Sequence, residues 1–117
     1  TNGWKNVATK SNYLFQKHPK VDSEDLPALP IELQEDFEEI YKPILMVDPF
    51  RCGGFPNHAL KGRLKDYRTL EIDWDGVSYR LVYRVYESSA PKRVFVVSFA
   101  EHNPAYDKAK ERTGRSK

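Results

Sequence analysis

Two periodicities divide the chain. Leu33, Phe37, Ile40, Tyr41, Ile44 and Leu45 recur at helical spacing and make one apolar stripe. Pro30 stands ahead of them as the first helical residue, where its missing N–H costs nothing. Glu32, Glu35 and Asp36 follow in the first two turns, where the helix dipole favours negative charge, and Glu38 and Glu39 extend the acidic, solvated face. From Tyr67 the period changes to that of a strand. Tyr67 to Trp74 alternates, Asp75-Gly76 signals a tight hairpin, and Val77 to Glu87 returns. Ser88-Ser89-Ala90-Pro91 turns the chain again into Arg93 to Ala100, whose Val94, Phe95, Val96, Val97 and Phe99 read as a strand buried on both faces.

Shorter elements fill the rest. Asn12 to Gln16 is an aromatic-rich first strand ended by His18-Pro19, with His18 a turn residue. Ser23 is a candidate N-cap for a helical turn that Pro27 keeps short. Asp48-Pro49 and Gly53-Gly54-Phe55-Pro56 make a connector, and Ala105 to Arg112 a C-terminal helix running into a basic tail. The predicted fold class is therefore α+β: a small antiparallel sheet, built from the N-terminal strand and a three-stranded meander, with helices on one face and the other face open. Residues 1–10 form a loosely held arm, and 11–117 form one domain.

Charge changes the picture more than composition does. Residues 1–50 hold five Lys/Arg against nine Asp/Glu, whereas residues 51–117 hold fourteen against eight. The asymmetry implies either a basic working surface for a polyanion or acidic partner, or two solvated faces of opposite sign. Cys52 is the only cysteine, so no intrachain disulfide forms, and it has no metal-ligand partner at a recognised spacing. No apolar run approaches the ~20 residues that span a bilayer. A soluble, cytoplasmic protein with no membrane partner is expected. Glycine-rich phosphate loops, metal-binding Cys/His sets and nucleophile elbows are missing from the sequence, so no cofactor and no metal is expected.

Three groups carry candidate chemistry. Alternation puts Tyr79, Leu81, Tyr83 and Val85 on one face of their strand and Arg80, Val82 and Arg84 on the other. The arginines either face solvent as a working surface or pair across strands with Glu71 or Asp73, the latter expected for Arg84. Lys61, Arg63 and Lys65 flank Gly62 and are joined by Arg68, a cluster suited to phosphates. His58 and His102 are either an acid–base pair in one cleft or two surface histidines.

From about Tyr13 to Arg112 the chain resembles the RelE/ParE superfamily of toxin–antitoxin toxins. The resemblance rests on His18-Pro19 before a leucine-proline helix entry, Asp48-Pro49 after the main helix, Leu60-Lys61-Gly62, Tyr79-Arg80-Leu81-Val82-Tyr83, and Val97-Ser98-Phe99 leading to Ala105-Tyr106. It implies a RelE-like fold. RelE-type members, including the YafQ, YoeB and HigB groups, are ribosome-dependent mRNA endonucleases (mRNA interferases), whereas ParE members inhibit DNA gyrase without chemistry of their own. The pattern is most similar to the former. It implies His102 as general acid or base, His58 as the complementary group or a substrate positioner, Arg80 as the phosphate stabiliser, and Tyr106 as the residue orienting substrate. Lys61, Arg63, Lys65, Arg68 and Arg84 would then hold RNA and the ribosome. The partners implied are a cognate antitoxin, mRNA in the ribosomal A site and ribosomal RNA. Leu70 stands where RelE carries a second strand lysine, Glu101 where it has basic residues, and the hairpin at Trp74-Asp75-Gly76 is longer. The implied catalytic set is accordingly histidine-based. The alternative is a ParE-like gyrase inhibitor.

Overall fold

The computed structural model describes residues 12–88 and 91–115; the N-terminal arm and the centre of the Ser88–Pro91 turn lie outside them. The predicted hairpin stands at the middle, with β3 (Tyr67–Trp74) antiparallel to β4 (Val77–Tyr86) and Trp74 opposite Val77. Asp75 and Gly76 both take positive φ, +50° and +76°, as a two-residue type I′ turn requires. β5 (Arg93–Glu101) continues the meander antiparallel to β4.

Two edge strands complete a sheet of order β1-β5-β4-β3-β2. β1 (Leu14–Lys17) runs parallel to β5, so the sheet is mixed rather than wholly antiparallel. It starts two residues later than expected, because the N–H groups of Asn12 and Tyr13 both donate to the Met46 carbonyl. β2 (Asn57–Ala59) was not anticipated, since three residues are too few to show alternation.

The helices between β1 and β2 cross one face. α1 consists of Val21–Asp25 followed by Leu26–Ala28; α2 consists of Ile31–Asp36, Phe37–Tyr41 and Lys42–Val47. The segments Val21–Asp25 and Phe37–Tyr41 are π-turns: Leu26 N–H bonds the Val21 carbonyl and Lys42 N–H the Phe37 carbonyl. Each widened turn is followed, after one intervening residue, by a proline, Pro27 or Pro43. A proline lacks an N–H and crowds the carbonyl four residues back, and widening the turn relieves both problems. Pro27 therefore lies within α1 rather than ending it. Ser23 sits in the wide turn and makes no cap bond; His18 Nδ1 instead accepts the Lys20 N–H at 3.1 Å. Pro30 is the N-cap of α2 and Ile31 its first residue.

The main core joins Leu33, Phe37, Tyr41 and Leu45 of α2 to Leu81, Tyr83, Val94, Val96 and Phe99 of the sheet. Tyr83 is fully buried; its hydroxyl donates to the Pro49 carbonyl at 2.7 Å and meets Cys52 Sγ at 3.2 Å. Cys52 is thus a core residue, its thiol pKa raised by burial.

The second face is not wholly open. Val82 pairs with Ser98 and Tyr83 with Val96, leaving Val97 as a bulge residue. Val97 joins Val82, Leu64, Tyr67, Ala105 and Ala109 in a smaller cluster under α3 (His102–Arg112). Ser98 Oγ donates to the Ala105 carbonyl at 2.8 Å, fixing the start of that helix. Its last turn is tied to α1 by a buried ion pair. Arg112 Nη1 and Nη2 reach Asp25 Oδ2 and Oδ1 at 2.7 and 2.8 Å. Asp25 Oδ2 also accepts the Phe99 N–H at 2.9 Å, a donor lying beyond the end of β1. What remains exposed on this face is the strip beside α3.

Candidate active site

Arg80 lies at the centre of that strip. Strand parity turns it away from Tyr79 and Leu81, and the sheet sets it between Glu71 on β3 and Ala100 on β5. Nη1 donates to Ser78 Oγ at 2.7 Å and the Tyr79 carbonyl at 3.0 Å, while Nη2 is 3.9 Å from Glu71 Oε1. Its Nε–H is buried without a partner. The guanidinium is therefore held in position, yet its charge is incompletely matched.

The two histidines flank it. His58, on β2 opposite Thr69, has Nδ1 2.8 Å from Glu71 Oε2 and a half-exposed ring. His102 opens α3, two residues after Ala100, and is exposed. Its Nδ1 lies 2.7 Å from Asn103 Oδ1, and its ring meets Tyr106 edge-on with centroids 5.0 Å apart. Neighbouring strands are ~4.8 Å apart, so β2 and β5 stand ~14 Å from each other with Arg80 between them. His58 thus lies on the sheet face that α3 crosses, and His102 at the N-terminal end of that helix. In chemical terms, imidazoles are groups able to transfer protons, and a fixed guanidinium is one able to stabilise an anion.

The cationic residues divide between the faces. Lys61 and Arg63 line a shallow depression with Leu60, Leu64, Tyr106 and Lys110. Gly62 between them takes φ +63°, the left-handed turn that lets both neighbours stand exposed. Lys65 is exposed beside them, its carbonyl held by Arg115 Nη1 at 2.8 Å. Arg68 does not join this cluster. Tyr67 already belongs to β3, so Arg68 alternates to the α2 face, donates to Asn57 Oδ1 at 2.6 Å and lies over the Phe50 ring. Arg84 was expected to pair with a carboxylate; its partners are the faces of Tyr67 and Tyr86, at 5.7 and 4.8 Å. The carboxylate goes to Arg80 instead.

Sequence reasoning considered Glu71 only as a strand partner, not as part of the site. The signal was present in the turn: counting outward from Asp75-Gly76 pairs Trp74 with Val77 and hence Glu71 with Arg80. That His58 reaches the same carboxylate depends on β2, which the sequence did not reveal.

Against known proteins, no family model and no curated sequence matches the chain. Solved structures do. A double arginine-to-alanine variant of the E. coli toxin RelE in its free state superimposes with a TM-score of 0.57 at 22% identity, covering 86% of this chain and 97% of that one. A YoeB/ParE toxin from Agrobacterium tumefaciens gives a TM-score of 0.51 at 19% identity, covering 76% and 98%. The fold is that of the RelE-type toxins. Within the RelE-like fold, the expected α+β architecture is present, and β4 with Arg80 is its central strand. Among the described residues no helix is long and apolar enough to cross a membrane, and no three His, Cys, Asp or Glu side chains gather as a metal site.

Proposed function

We propose that this protein is the toxin of a type II toxin–antitoxin pair and acts as a ribosome-dependent mRNA endonuclease. The observation that carries the reading is Arg80, a restrained guanidinium with His58 on one flank and His102 with Tyr106 on the other. Cleavage of an RNA strand requires a base to take the 2′-OH proton, a cation to stabilise the phosphorane, and an acid to protonate the leaving 5′-oxygen. His58 and His102 supply the proton transfers and Arg80 the charge. Tyr106, edge-on to His102, orients the substrate beside it. Lys61, Arg63 and Lys65 hold the RNA backbone next to Tyr106. The strip is shallow, so the strand must be presented to it in extended form, a role that suits the ribosomal A site. An antitoxin with an acidic segment complements the basic second half of the chain.

The test incubates mRNA with the protein, with and without ribosomes, alongside His102→Ala and Arg80→Ala. Cleavage is expected only with ribosomes, and each variant is expected to lose at least about a hundredfold in rate. Undiminished cleavage by both variants would remove the site assignment. Absence of cleavage together with blocked gyrase supercoiling would replace the reading with the ParE-like one.

A further inference from the structure

The two histidines differ in what holds them. His102 Nδ1 faces a neutral amide, Asn103 Oδ1 at 2.7 Å, whereas His58 Nδ1 faces a carboxylate, Glu71 Oε2 at 2.8 Å. A carboxylate at that distance accepts a proton from Nδ1, so neutral His58 is fixed with its Nε2 lone pair outward. The same carboxylate turns its other oxygen, Oε1, toward Arg80 Nη2 at 3.9 Å. Glu71 thereby stands beside both a proton-transfer group and the cation. Its pair with His58 is half-exposed, which makes it a weak source of stability. What it supplies is orientation.

We infer that Glu71 is a positioning residue that makes His58 the general base and leaves His102 as the general acid. The inference rests on the nuclease reading and gives it a direction. His58 Nε2 takes the proton of the 2′-OH as that oxygen bonds to phosphorus. The bond from phosphorus to the 5′-oxygen breaks, and His102 delivers a proton to that oxygen. As His58 becomes an imidazolium, Glu71 stabilises the new positive charge and keeps the ring in place. Glu71 itself exchanges no proton with the substrate.

Three measurements test this on the full-length protein: the tautomer of His58 by 15N NMR, kcat and KM for ribosome-bound mRNA, and a double-mutant cycle between Glu71 and His58. In the unmodified protein neutral His58 is expected to carry its proton on Nδ1. Glu71→Ala should release it toward the Nε2–H form and lower kcat about ten- to a hundredfold with KM little changed. Glu71→Gln, whose amide oxygen still accepts from Nδ1, should keep the tautomer and lose part of the rate. In a His58→Ala background Glu71→Ala should cost nothing more. An unchanged tautomer in Glu71→Ala, or an equal rate loss with and without His58, overturns the inference. A fixed tautomer in a protein that cuts no RNA upholds the positioning and overturns the nuclease reading. A free tautomer with full cleavage does the reverse.

Discussion

Two arginine–carboxylate pairs in this molecule have opposite designs. Asp25 and Arg112 join α1 to α3 with side chains 0% and 2% exposed and bonds of 2.7 and 2.8 Å. The Arg112 pKa is raised, chiefly by the bond to the Asp25 carboxylate and against the pull of burial. Both carboxylate oxygens are engaged, with a backbone N–H added to one of them. Glu71 and Arg80 are 3.9 Å apart, the carboxylate about one-third exposed and shared with His58. A buried pair must be closely matched, because removing one partner leaves a charge that water cannot reach. A pair at a working site is better left loose, since its cation must retain attraction for an incoming anion. The first pair belongs to the fold and the second to the strip.

The sharpest way to break this comparison is to remove one carboxylate from each pair. Asp25→Ala leaves buried Arg112 only the Val97 carbonyl and a Glu24 oxygen at 3.5 Å, and leaves the Phe99 N–H without an acceptor, so it is expected to cost about 3 kcal/mol in urea unfolding. Glu71→Ala, at a carboxylate about one-third exposed and 3.9 Å from its arginine, is expected to cost ~1 kcal/mol or less. Similar losses for the two would mean that distance and exposure do not separate the pairs.

How far the sequence reveals each pair follows from the same difference. The Asp75-Gly76 turn fixes the β3–β4 register, so the opposition of Glu71 and Arg80 was available by counting. The α2 stripe and the three long strands were equally legible, because each repeats its period over several residues. Arg112 looked like one more cation of a basic tail, and its partner lies 87 residues away. Nothing local marks a contact of that span. Arg68 was grouped with the loop cations for its nearness in sequence, although the strand from Tyr67 was already legible, and strand parity turns it to the α2 face. The parallel β1 depends on how α1 and α2 settle across the sheet, which no periodicity encodes.

A pH titration sharpens the structural half of the comparison. His18 accepts the Lys20 N–H at Nδ1, which requires that nitrogen unprotonated. Its pKa is lowered, first by burial and then by the nearby Arg112 charge. The unfolded chain, with an ordinary histidine near pKa 6.5, therefore binds the proton more readily than the folded one. Stability from this group is complete above about pH 6.5 and declines as the pH falls toward the depressed folded value. Urea midpoints measured at pH 7.5 and 5.5 should show the decline, and His18→Gln should make it smaller. An equal decline in the variant would assign the acid sensitivity to other groups.

The smallest effect concerns an arginine that has neither kind of pair. Arg84 faces the rings of Tyr67 and Tyr86, with Arg93 on the Tyr86 ring at 3.9 Å and Arg115 on Tyr67 at 5.0 Å. Aromatic faces hold a guanidinium without neutralising it, so its charge stays available to phosphate. Arg84→Ala is expected to cost about 0.5–1 kcal/mol in stability. It should also reduce the salt slope of RNA binding by about one unit while leaving the cleavage position unchanged. A lost cleavage rate at saturating substrate would instead make Arg84 part of the proposed site around Arg80, from which it is separated by Val82 on the same face of β4.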